Sequence, residues 1–393
     1  MAGRLTAPPL PVETPRALFD VSRLLRQRAR AFGTGVDRID LAIGLDLAAR
    51  FGPDCLFVHA APAGPALLPH AVGAAALRAL ARRWGALPAA GDAKEPDADP
   101  SAPRGLARAL LAGAVRGAAG GFRALAGPDV TYVVASHSGL PAERGGIDRV
   151  DPGRRMRRLA YIHDVIPLEY PEYQTPRSAR RFERFLAALG AAPTRYVANS
   201  ADTARRLGAC AAARGWAVEG IDALPPRLEP GPPPRDDPAP RPAVRAILDG
   251  AAPWFIAIGT IEPRKNHLLL LQLWRALAEA GTPPRLAVVG RRGWENEMVV
   301  DMLDRCAAIA PHVSEFGDLS DAETLALLKG ARALLFPSFA EGLGLPLMEA
   351  AAVGTPAIVS DLPVFREIAP PGTVFLDPLD GPGWARAIRA RLG

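Results

Sequence analysis

Short apolar runs alternate with longer helical patterns along most of the chain, and this alternation restricts the fold more than any other feature of the sequence. A run that is apolar on both faces suits a strand of a parallel sheet, because helices cover both faces of such a sheet. The pattern therefore predicts an α/β fold. Ten runs are predicted to be strands: ALFDVS (17–22), CLFVHA (55–60), VTYVVAS (130–136), LAYIHDVI (159–166), RYVANS (195–200), WFIAIG (254–259), RLAVVG (285–290), ALLFPS (333–338), PAIVS (356–360) and TVFL (373–376).

A proline-rich stretch at 224–242 separates the first five of these strands from the last five. So many prolines are incompatible with a helix or an inner strand, and the stretch is read as a linker. At 393 residues the chain is also long for a single core. We therefore expect two doubly wound Rossmann-like domains, 1–243 and 244–393, facing across a cleft that binds a ligand. A second stretch, 89–103, is predicted to be a disordered surface loop.

Composition narrows the classes of function. The sequence has no apolar run of 18 residues and its N-terminus lacks the pattern of a secretory signal, so neither a membrane span nor export is expected. Three cysteines (Cys55, Cys210 and Cys306) match no metal-ligand spacing and indicate a reducing compartment. The net charge of +6 favours anionic partners, but no basic run is interleaved with aromatic residues, which argues against nucleic acid. A cytoplasmic location is predicted.

Residues 104–127 leave a peripheral membrane contact open. Their four arginines fall on one side of a helical wheel, opposite much of the leucine, as in a helix that lies on an anionic lipid surface. The favoured alternative is a helix packed on the core of its own domain. Glycines from Gly117 to Gly121 are expected to interrupt it.

The segment FPSFAEGLGLPLMEAAAVGTPAIVSDLPVFREI (336–368) carries the strongest functional signal. A predicted strand ends at Ser338, a glycine-rich turn follows, and an apolar helix begins near Leu345. Glycine allows close approach of a ligand to the backbone, and the N–H groups at a helix N-terminus suit a diphosphate. Glu341 and Glu349 lie on either side of the turn, where their carboxylates can accept hydrogen bonds from sugar and ribose hydroxyls.

A second segment, AIGTIEPRKNHLLLLQLWRAL (257–277), places charge at the end of another predicted strand. The strand runs into Gly259 and Thr260, and Arg264 and Lys265 follow at the start of a helix. Two cations at the carboxyl end of a strand can bind the same diphosphate. The alternative, that Arg264 and Lys265 are an ordinary solvated pair on the surface, is less favoured because a second loop suited to phosphate binding is expected nearby.

Together these strings resemble the C-terminal domain of retaining family 4 glycosyltransferases, which have the GT-B fold. The resemblance covers 254–368 and rests on GTIEPRKN, on Glu341 and Glu349 eight residues apart with GLGLP between them, and on VGTPAIVSDLPVFREI. The chain departs from the family at Leu343, where many relatives have Phe, and at Thr260, where some have a phosphate-binding Arg. The second departure leaves more of the phosphate charge to Arg264 and Lys265.

The resemblance implies a role for each matching residue. Lys265 and Arg264 would bind the donor diphosphate, Glu341 would contact the transferred sugar, and Glu349 would hold the ribose. The remaining donor-binding residues implied are Gly259, Thr260, Gly342, Leu343, Gly344 and Leu345. Gly290, with Trp294 and Phe316, would lie near the base. Ser320 and Glu323 fit a helix-capping box, so Glu323 is interpreted as structural.

The N-terminal half resembles the family less closely. FGTGVDRIDLA (32–42) is similar to its glycine-rich first loop, with Gly35 opening a helix; a plain strand-to-helix turn fits these residues equally well. YIHDVIPLEYPEY (161–173) is similar to its His-Asp segment near the reacting sugar. His163 is therefore a candidate catalytic residue, with a buried structural histidine as the alternative. His137, which also ends a strand, is a candidate for the acceptor side.

The function expected from this resemblance is that of a retaining, metal-independent hexosyltransferase without a cofactor. It would move a sugar from a nucleoside diphosphate, with GDP-mannose as the favoured donor, to a glycan or lipid-linked oligosaccharide in bacterial surface polysaccharide or lipopolysaccharide synthesis. The family has no agreed enzymic nucleophile, and attack on the same face with the leaving phosphate as base is the favoured scheme. The alternatives are an inactive GT-B-like scaffold subunit and a nucleotide-sugar epimerase.

Overall fold

Two compact units make up the structure, a computed structural model that describes residues 4–30, 32–61, 64–86, 103–143, 145–229, 239–281 and 283–392. The N-terminal unit comprises Leu5–Glu169 and Pro176–Arg227, and the C-terminal unit comprises Met1–Arg4, Tyr170–Thr175 and Leu228–Gly393. This division falls at Leu228, upstream of the domain boundary expected at 243/244, and it assigns a short internal segment to the C-terminal unit. Residues 230–238 of the linker and residues 89–102 of the predicted surface loop lie outside the described residues.

A seven-stranded sheet is the centre of the N-terminal unit. The strands up to residue 229 are β1 (Arg4–Thr6), β2 (Arg16–Asp20), β3 (Cys55–Ala61), β4 (Gly64–Leu68), β5 (Val130–Val134), β6 (Arg157–Ile162), β7 (Thr194–Ala198), β8 (Val218–Ala223) and β9 (Arg227–Glu229). Their order in the sheet is β4-β3-β2-β5-β6-β7-β8, while β1 pairs with β9. Strand β4 pairs antiparallel with β3, and the other neighbours in this sheet are parallel. The central strand β5 is buried at every residue, as expected for an inner parallel strand.

The helices of this unit cover the sheet. They are α1 (Ser22–Arg26), α2 (Gly35–Phe51), α3 (His70–Arg83), α4 (Pro103–Arg116), α5 (Phe122–Leu125), α6 (Gly146–Val150), α7 (Ile166–Glu169), α8 (Pro176–Gly190) and α9 (Ala201–Arg214). A π-helical turn, Gly117–Gly121, separates α4 from α5, and Gly120 there has φ of 95°. Helix α4 packs on β4 so closely that a Cβ at Gly113 would lie 2.8 Å from the carbonyl oxygen of Leu67. Both expectations for this segment, packing on its own unit and interruption by glycine, are confirmed.

The C-terminal unit is a six-stranded parallel sheet with helices on both faces. Its strands are β10 (Trp254–Ile258), β11 (Arg285–Val289), β12 (Val313–Phe316), β13 (Leu334–Phe336), β14 (Ala357–Ser360) and β15 (Val374–Leu376). Its helices are α10 (Pro242–Leu248), α11 (His267–Glu279), α12 (Glu297–Arg305), α13 (Asp321–Gly330), α14 (Leu345–Val353), α15 (Pro363–Ile368) and α16 (Gly381–Ala390). One apolar cluster lies on each side of the sheet, around Phe365 and around Trp274.

The strand order of the C-terminal sheet is β12-β11-β10-β13-β14-β15. The chain therefore winds outward in one direction from β10 and then in the other direction from β13, which is the order 3-2-1-4-5-6 of a doubly wound sheet. Ligands of such sheets bind beyond the carboxyl ends of the strands, at the point where the winding reverses. That point lies between β10 and β13.

Candidate functional site

The loops that follow β10 and β13 meet at this reversal point. The first runs from Gly259 to a 3-10 turn, Pro263–Lys265, and the second runs from Pro337 to Gly344. The loops are joined by two hydrogen bonds to backbone carbonyls. The Phe339 N–H donates to the Arg264 carbonyl at 2.8 Å, and the Arg264 guanidinium donates to the Ala340 carbonyl at 2.7 Å. Hence the two segments singled out in the sequence form one site.

Glu341 is the centre of a buried charge cluster. Its Oε1 accepts hydrogen bonds from Lys265 Nζ at 2.5 Å and from the Ser338 hydroxyl at 2.7 Å, and its Oε2 lies 2.8 Å from Arg264 Nη1. The side chain of Glu341 is 8% exposed, and those of Arg264 and Lys265 are 15% and 10% exposed. Both oxygens of this carboxylate are thus engaged by positive or hydroxyl donors.

The electrostatics of the cluster keep Glu341 ionised. Burial raises the pKa of its carboxyl, but Arg264 and Lys265, together with the hydrogen bonds from Lys265 and Ser338, lower it more, so the pKa falls to about 2. Burial lowers the pKa of Lys265, which Glu341 partly offsets. The Lys265 ammonium also lies 4.6 Å from the centre of the Phe336 ring, a cation–π contact.

Two residues of the cluster were not assigned a role from the sequence. Glu262 is 3% exposed and accepts a hydrogen bond from Arg264 at 2.5 Å; burial raises its pKa. Ser338 is fully buried and donates to Glu341. Both residues lie in loops that follow strands, two or three residues from a predicted ligand-binding residue, but serine and glutamate in such loops are too common to be distinctive.

Gly259 and Gly290 are required by close packing beside the cluster. A Cβ at Gly290 would lie 1.8 Å from the Gly259 carbonyl oxygen and 3.2 Å from the Thr260 nitrogen. Gly259 has φ of 148°, and a Cβ there would lie 3.4 Å from Lys265 Nζ. These two predicted residues and Thr260 therefore adjoin the cluster, and glycine allows the backbone to reach it.

Helix α14 begins at Leu345, as predicted, and its N-terminus follows the Glu341 loop directly. Gly344 is the N-cap residue and has φ of 104°; a Cβ there would lie 2.7 Å from the Phe365 ring. Leu343 is 4% exposed and packs inward. Glu349 is on the second turn of α14 and is partly exposed. The loop, Gly342 to Leu345, thus presents the helix N-terminus next to Glu341.

In the N-terminal unit, His163 is a buried histidine beyond the end of β6. Its Nε2 lies 2.7 Å from the Ala135 carbonyl and 2.9 Å from Asp40 Oδ1, and its side chain is 2% exposed. A carbonyl oxygen only accepts, so Nε2 carries the proton. Asp40 lies on α2, and burial raises the pKa of its carboxyl. It was missed in the sequence, although it lies between Ile39 and Leu41 on a helix with a buried face.

His137 contacts His163 through a hydrogen bond and through its ring. The backbone N–H of His163 donates to His137 Nε2 at 3.1 Å, so this nitrogen holds its lone pair and the ring is neutral with its proton on Nδ1. Burial lowers the pKa of His137 well below its usual value. The ring packs against Phe182 at 4.7 Å. His137 is therefore placed as a structural neighbour of His163.

Gly35 is the first residue of α2, as expected from the glycine-rich loop. The N-cap is Thr34, and the side chains and backbones of Thr34 and Asp37 form a reciprocal capping box. Asp37 in turn accepts a hydrogen bond from Arg23 at 2.7 Å. This geometry explains the helix start; a ligand-binding role for Gly35 remains a prediction.

No metal-ligand cluster of three or more His, Cys, Asp or Glu side chains occurs among the described residues. None of the helices in the described part of the chain combines the length and apolar character that a membrane span requires.

Comparison with known proteins identifies the family of the domain that contains the charge cluster. The profile described as "Glycosyl transferases group 1" matches residues 246–390, which include both loops of the cluster. Residues 246–390 are a group 1 glycosyltransferase domain. The resemblance of this part of the chain to a glycosyltransferase domain, predicted from the sequence, is thereby confirmed.

Two relatives of the group 1 domain carry names of known activities. The serotype-specific mannosyltransferase WbdA of Escherichia coli is 33% identical over 221 residues, which are 53% of this chain and 26% of WbdA. The O-antigen chain mannosyltransferase RfbU of Salmonella typhimurium is 32% identical over 139 residues, which are 35% of this chain and 37% of RfbU. The chain thus spans about a quarter of WbdA and just over a third of RfbU.

A solved structure extends the similarity beyond the group 1 domain. HepE of Anabaena, crystallised with UDP and glucose, matches 97% of this chain and 90% of its own, with a TM-score of 0.57 and 14% sequence identity. At that identity the match defines the fold alone. It confirms the predicted GT-B type, with two Rossmann-like units.

Proposed function

We propose that this chain is a retaining, metal-independent hexosyltransferase that transfers mannose from GDP-mannose to a hydroxyl of a glycan or lipid-linked oligosaccharide. The proposed pathway is bacterial surface polysaccharide synthesis, and the proposed location is the cytoplasm. The observation that carries this proposal is the Glu341 cluster, in which Arg264 and Lys265 meet an ionised carboxylate at the reversal point of a group 1 domain. The names of WbdA and RfbU support mannose and O-antigen polysaccharide.

The state of Glu341 limits what it can do in the reaction. With a pKa of about 2 it is ionised near neutral pH and cannot act as a general acid. Both oxygens are already held by Lys265, Ser338 and Arg264, so the carboxylate is a poor nucleophile. It remains an acceptor of hydrogen bonds from sugar hydroxyls, which agrees with a scheme that has no enzymic nucleophile at this residue.

The departing diphosphate is the part of the reaction where negative charge develops. Arg264 and Lys265 are the proposed counter-charges, and the N-terminus of α14 adds N–H groups and the positive end of its dipole. Glu349 on the same helix is proposed to hold the ribose. Gly259 and Gly290 allow the two loops that carry them to pack closely beside Lys265.

His163 is proposed to act in the N-terminal unit. Its protonated Nε2 is used by Ala135 and Asp40, and Nδ1 is a buried atom for which the structure shows no hydrogen-bond partner among the described residues. Nδ1 is thus the nitrogen of His163 that is proposed to accept a hydrogen bond from a sugar hydroxyl. Asp40 would stabilise the ring and fix its orientation.

The alternatives named from the sequence receive less support. A scaffold subunit that had lost turnover would have no need for a buried cluster of two cations around an ionised carboxylate. An epimerase needs an acid and a base at the reacting carbon, and Glu341 is held in its ionised form. Measurement of donor turnover distinguishes both alternatives from a transferase.

Release of nucleotide from a panel of GDP-, UDP- and dTDP-sugars tests the proposal. The wild-type chain should release GDP from GDP-mannose slowly in water and faster with an acceptor. Glu341→Gln should lower the rate by about 100-fold, the typical effect of removing one electrostatic contact to the transition state.

Glu323→Gln is the matched control, because Glu323 is also a poorly exposed carboxylate that pairs with an arginine, Arg241, and has a pKa near 2. It lies in the capping box of α13 and should leave turnover unchanged. Equal loss in both variants would assign the effect to folding. No release from any donor by the wild-type chain would refute the transferase function.

Stereochemistry and metal independence have their own tests. Proton NMR of the first sugar released from GDP-mannose should show the α-anomer before mutarotation, since the donor bond is α and retention preserves it. The rate should be unchanged by EDTA. An initial β-anomer would refute retention, and loss of activity restored by a divalent cation would refute metal independence.

We also propose peripheral binding to an anionic membrane through α4. Leu111 and Val115 are 67% and 63% exposed. Arg108, one turn before Leu111, and Arg116, next to Val115, are also exposed, and Arg116 donates to the Leu67 carbonyl at 3.3 Å. Residues 103–126 contain no Asp or Glu. An apolar stripe flanked by cations complements anionic headgroups above acyl chains.

Co-sedimentation with vesicles of phosphatidylglycerol and phosphatidylcholine tests this surface. Wild type should bind these vesicles but not pure phosphatidylcholine, and Leu111→Gln with Val115→Gln should weaken binding at least tenfold, roughly the effect of losing one large apolar side chain. Met298→Gln with Leu379→Gln removes two apolar side chains elsewhere that are at least as exposed as Val115, at 65% and 78%, and should bind normally. Normal binding by the α4 variant would contradict the proposal.

A further inference from the structure

The segment Tyr170–Thr175 belongs by its contacts to the C-terminal unit, although the chain on either side of it belongs to the N-terminal unit. Its 3-10 turn, Pro171–Tyr173, is fixed in two ways. The Trp294 indole N–H donates to the Tyr173 carbonyl at 2.9 Å, and the Tyr173 ring stacks on Phe339 with centroids 5.8 Å apart and planes 13° apart. The stack continues to Tyr170, 5.8 Å from Tyr173.

Phe339 lies two residues before Glu341. Its ring receives the Tyr173 stack while its backbone N–H donates to the Arg264 carbonyl. The loop that carries Glu341 is therefore held from one side by the cations and from the other by aromatic packing. Eight residues without regular structure separate Phe336 from Leu345, so these contacts determine where the carboxylate lies.

The two sets of contacts respond differently to a bound donor. In the proposed donor complex Arg264 and Lys265 also pair with the diphosphate. This weakens their ionic contacts with Glu341. The Tyr173–Phe339 stack involves no charge and is unaffected by that exchange. It keeps the loop in place at the moment when the ionic contacts are shared, and such preorganisation favours the transition state over the ground state.

We infer that Tyr173 and Trp294 are positioning residues for Glu341, with Phe339 as the link between them and the loop. This inference rests on the proposed transferase function and goes beyond it, because that function assigns neither residue a role in positioning Glu341. It also gives Trp294 a different role from the one expected from the sequence, contact with the nucleotide base.

Substitutions distinguish the contribution of the Tyr173 ring from that of the hydrogen bond donated by Trp294. Tyr173→Phe keeps the ring and the backbone carbonyl and should behave as wild type. Tyr173→Leu removes the stack and Trp294→Phe removes the N–H donor. Each should lower kcat for donor turnover about tenfold and change the donor KM less than twofold. The double variant should be no worse than either single one, because both act through the same segment.

Trp254→Phe is the matched control, because the Trp254 indole also donates to a backbone carbonyl, that of Leu327, at 2.9 Å. It should leave kcat unchanged whatever it does to the melting temperature. A purely structural role for Tyr173 and Trp294 would lower the melting temperature and leave kcat per folded molecule intact, and that result would overturn the inference. Losses that multiply in the double variant would overturn it as well.

Hydrogen–deuterium exchange gives a second readout that does not need turnover. Peptides covering 337–344 should exchange faster in Tyr173→Leu and Trp294→Phe than in wild type or Trp254→Phe. Unchanged exchange would overturn the inference even if the enzyme were active. If wild type released no nucleotide from any sugar donor, the proposed function would fail while the exchange experiment still decided whether Tyr173 and Trp294 hold the Glu341 loop.

Discussion

Glu341 illustrates how single residues determine the chemistry of this site. A buried carboxylate would ordinarily take up a proton, but two cations and a hydroxyl face its oxygens and keep it ionised. The same contacts make Arg264 and Lys265 dependent on Glu341, since loss of the carboxylate leaves two buried positive charges beside each other. The cluster is therefore a structural unit as well as a binding site.

Acid stability should report this arrangement. Because the pKa of Glu341 is about 2 in the folded chain and near 4.5 when unfolded, its contribution to the free energy of unfolding is complete above pH 4.5. It is lost as the pH falls toward 2. The contribution is at most about 3 kcal/mol. Chemical denaturation between pH 5 and 2.5 should show a steeper loss in wild type than in Glu341→Gln, and parallel curves would contradict the assigned ionisation.

Gly290 offers a test of close packing beside the cluster. A Cβ would lie 1.8 Å from the Gly259 carbonyl oxygen, a backbone atom that cannot move without shifting the loop. Gly290→Ala should destabilise the chain by about 3 kcal/mol or more. Gly208→Ala is the matched control, because Gly208 lies inside α9 with only Ile221 at 3.6 Å, and alanine there should stabilise by about 0.5–1 kcal/mol. Similar melting temperatures for the two variants would contradict the packing described.

At the scale of elements, helix starts place the site residues. Thr34 caps α2 and so fixes Asp37 and Asp40, which face Arg23 and His163. Thr34→Ala should lower the free energy of unfolding by about 1 kcal/mol, and Thr34→Ser should retain most of it. Urea denaturation of both variants measures this, and an equal loss in both would show that the hydroxyl is not the stabilising group.

All ten strands predicted from the sequence are present in the structure, because inner parallel strands are apolar on both faces and flanked by turn residues. The strands that were missed lack this pattern. Strand β4 contains Gly64 and Pro65 and pairs antiparallel at an edge, and β8 is polar and partly exposed. Their pairing depends on neighbours distant in sequence, which local patterning does not encode.

The site was predictable to a similar extent. Arg264, Lys265 and Glu341 were named from strand ends and glycine-rich turns, and the structure brings them into direct contact. The sequence does not predict their mutual pairing, because two cations at the carboxyl end of a strand indicate a bound anion rather than a carboxylate of the same chain. The sequence does not identify Asp40 and Tyr173 either, since their roles depend on contacts with residues more than a hundred positions away.

At the scale of the whole molecule, the residues of the proposed function are divided between two units, each built on its own largely parallel sheet. The C-terminal unit contains the group 1 domain and the charge cluster, and the N-terminal unit contains the paired His163 and Asp40. Each unit has its own apolar core. Substitutions at the charge cluster can therefore be made without changing the apolar core of the N-terminal unit.

Calorimetric titration of GDP-mannose tests the central claim, that the Glu341 cluster binds a nucleotide sugar, most directly. Wild type and Glu323→Gln should bind with the same affinity. Lys265→Ala should bind at least tenfold more weakly because a charged contact to the diphosphate is lost. Retention of full affinity by Lys265→Ala and Glu341→Gln, or absence of binding to the wild-type chain by GDP-mannose and every other sugar nucleotide, would contradict the account.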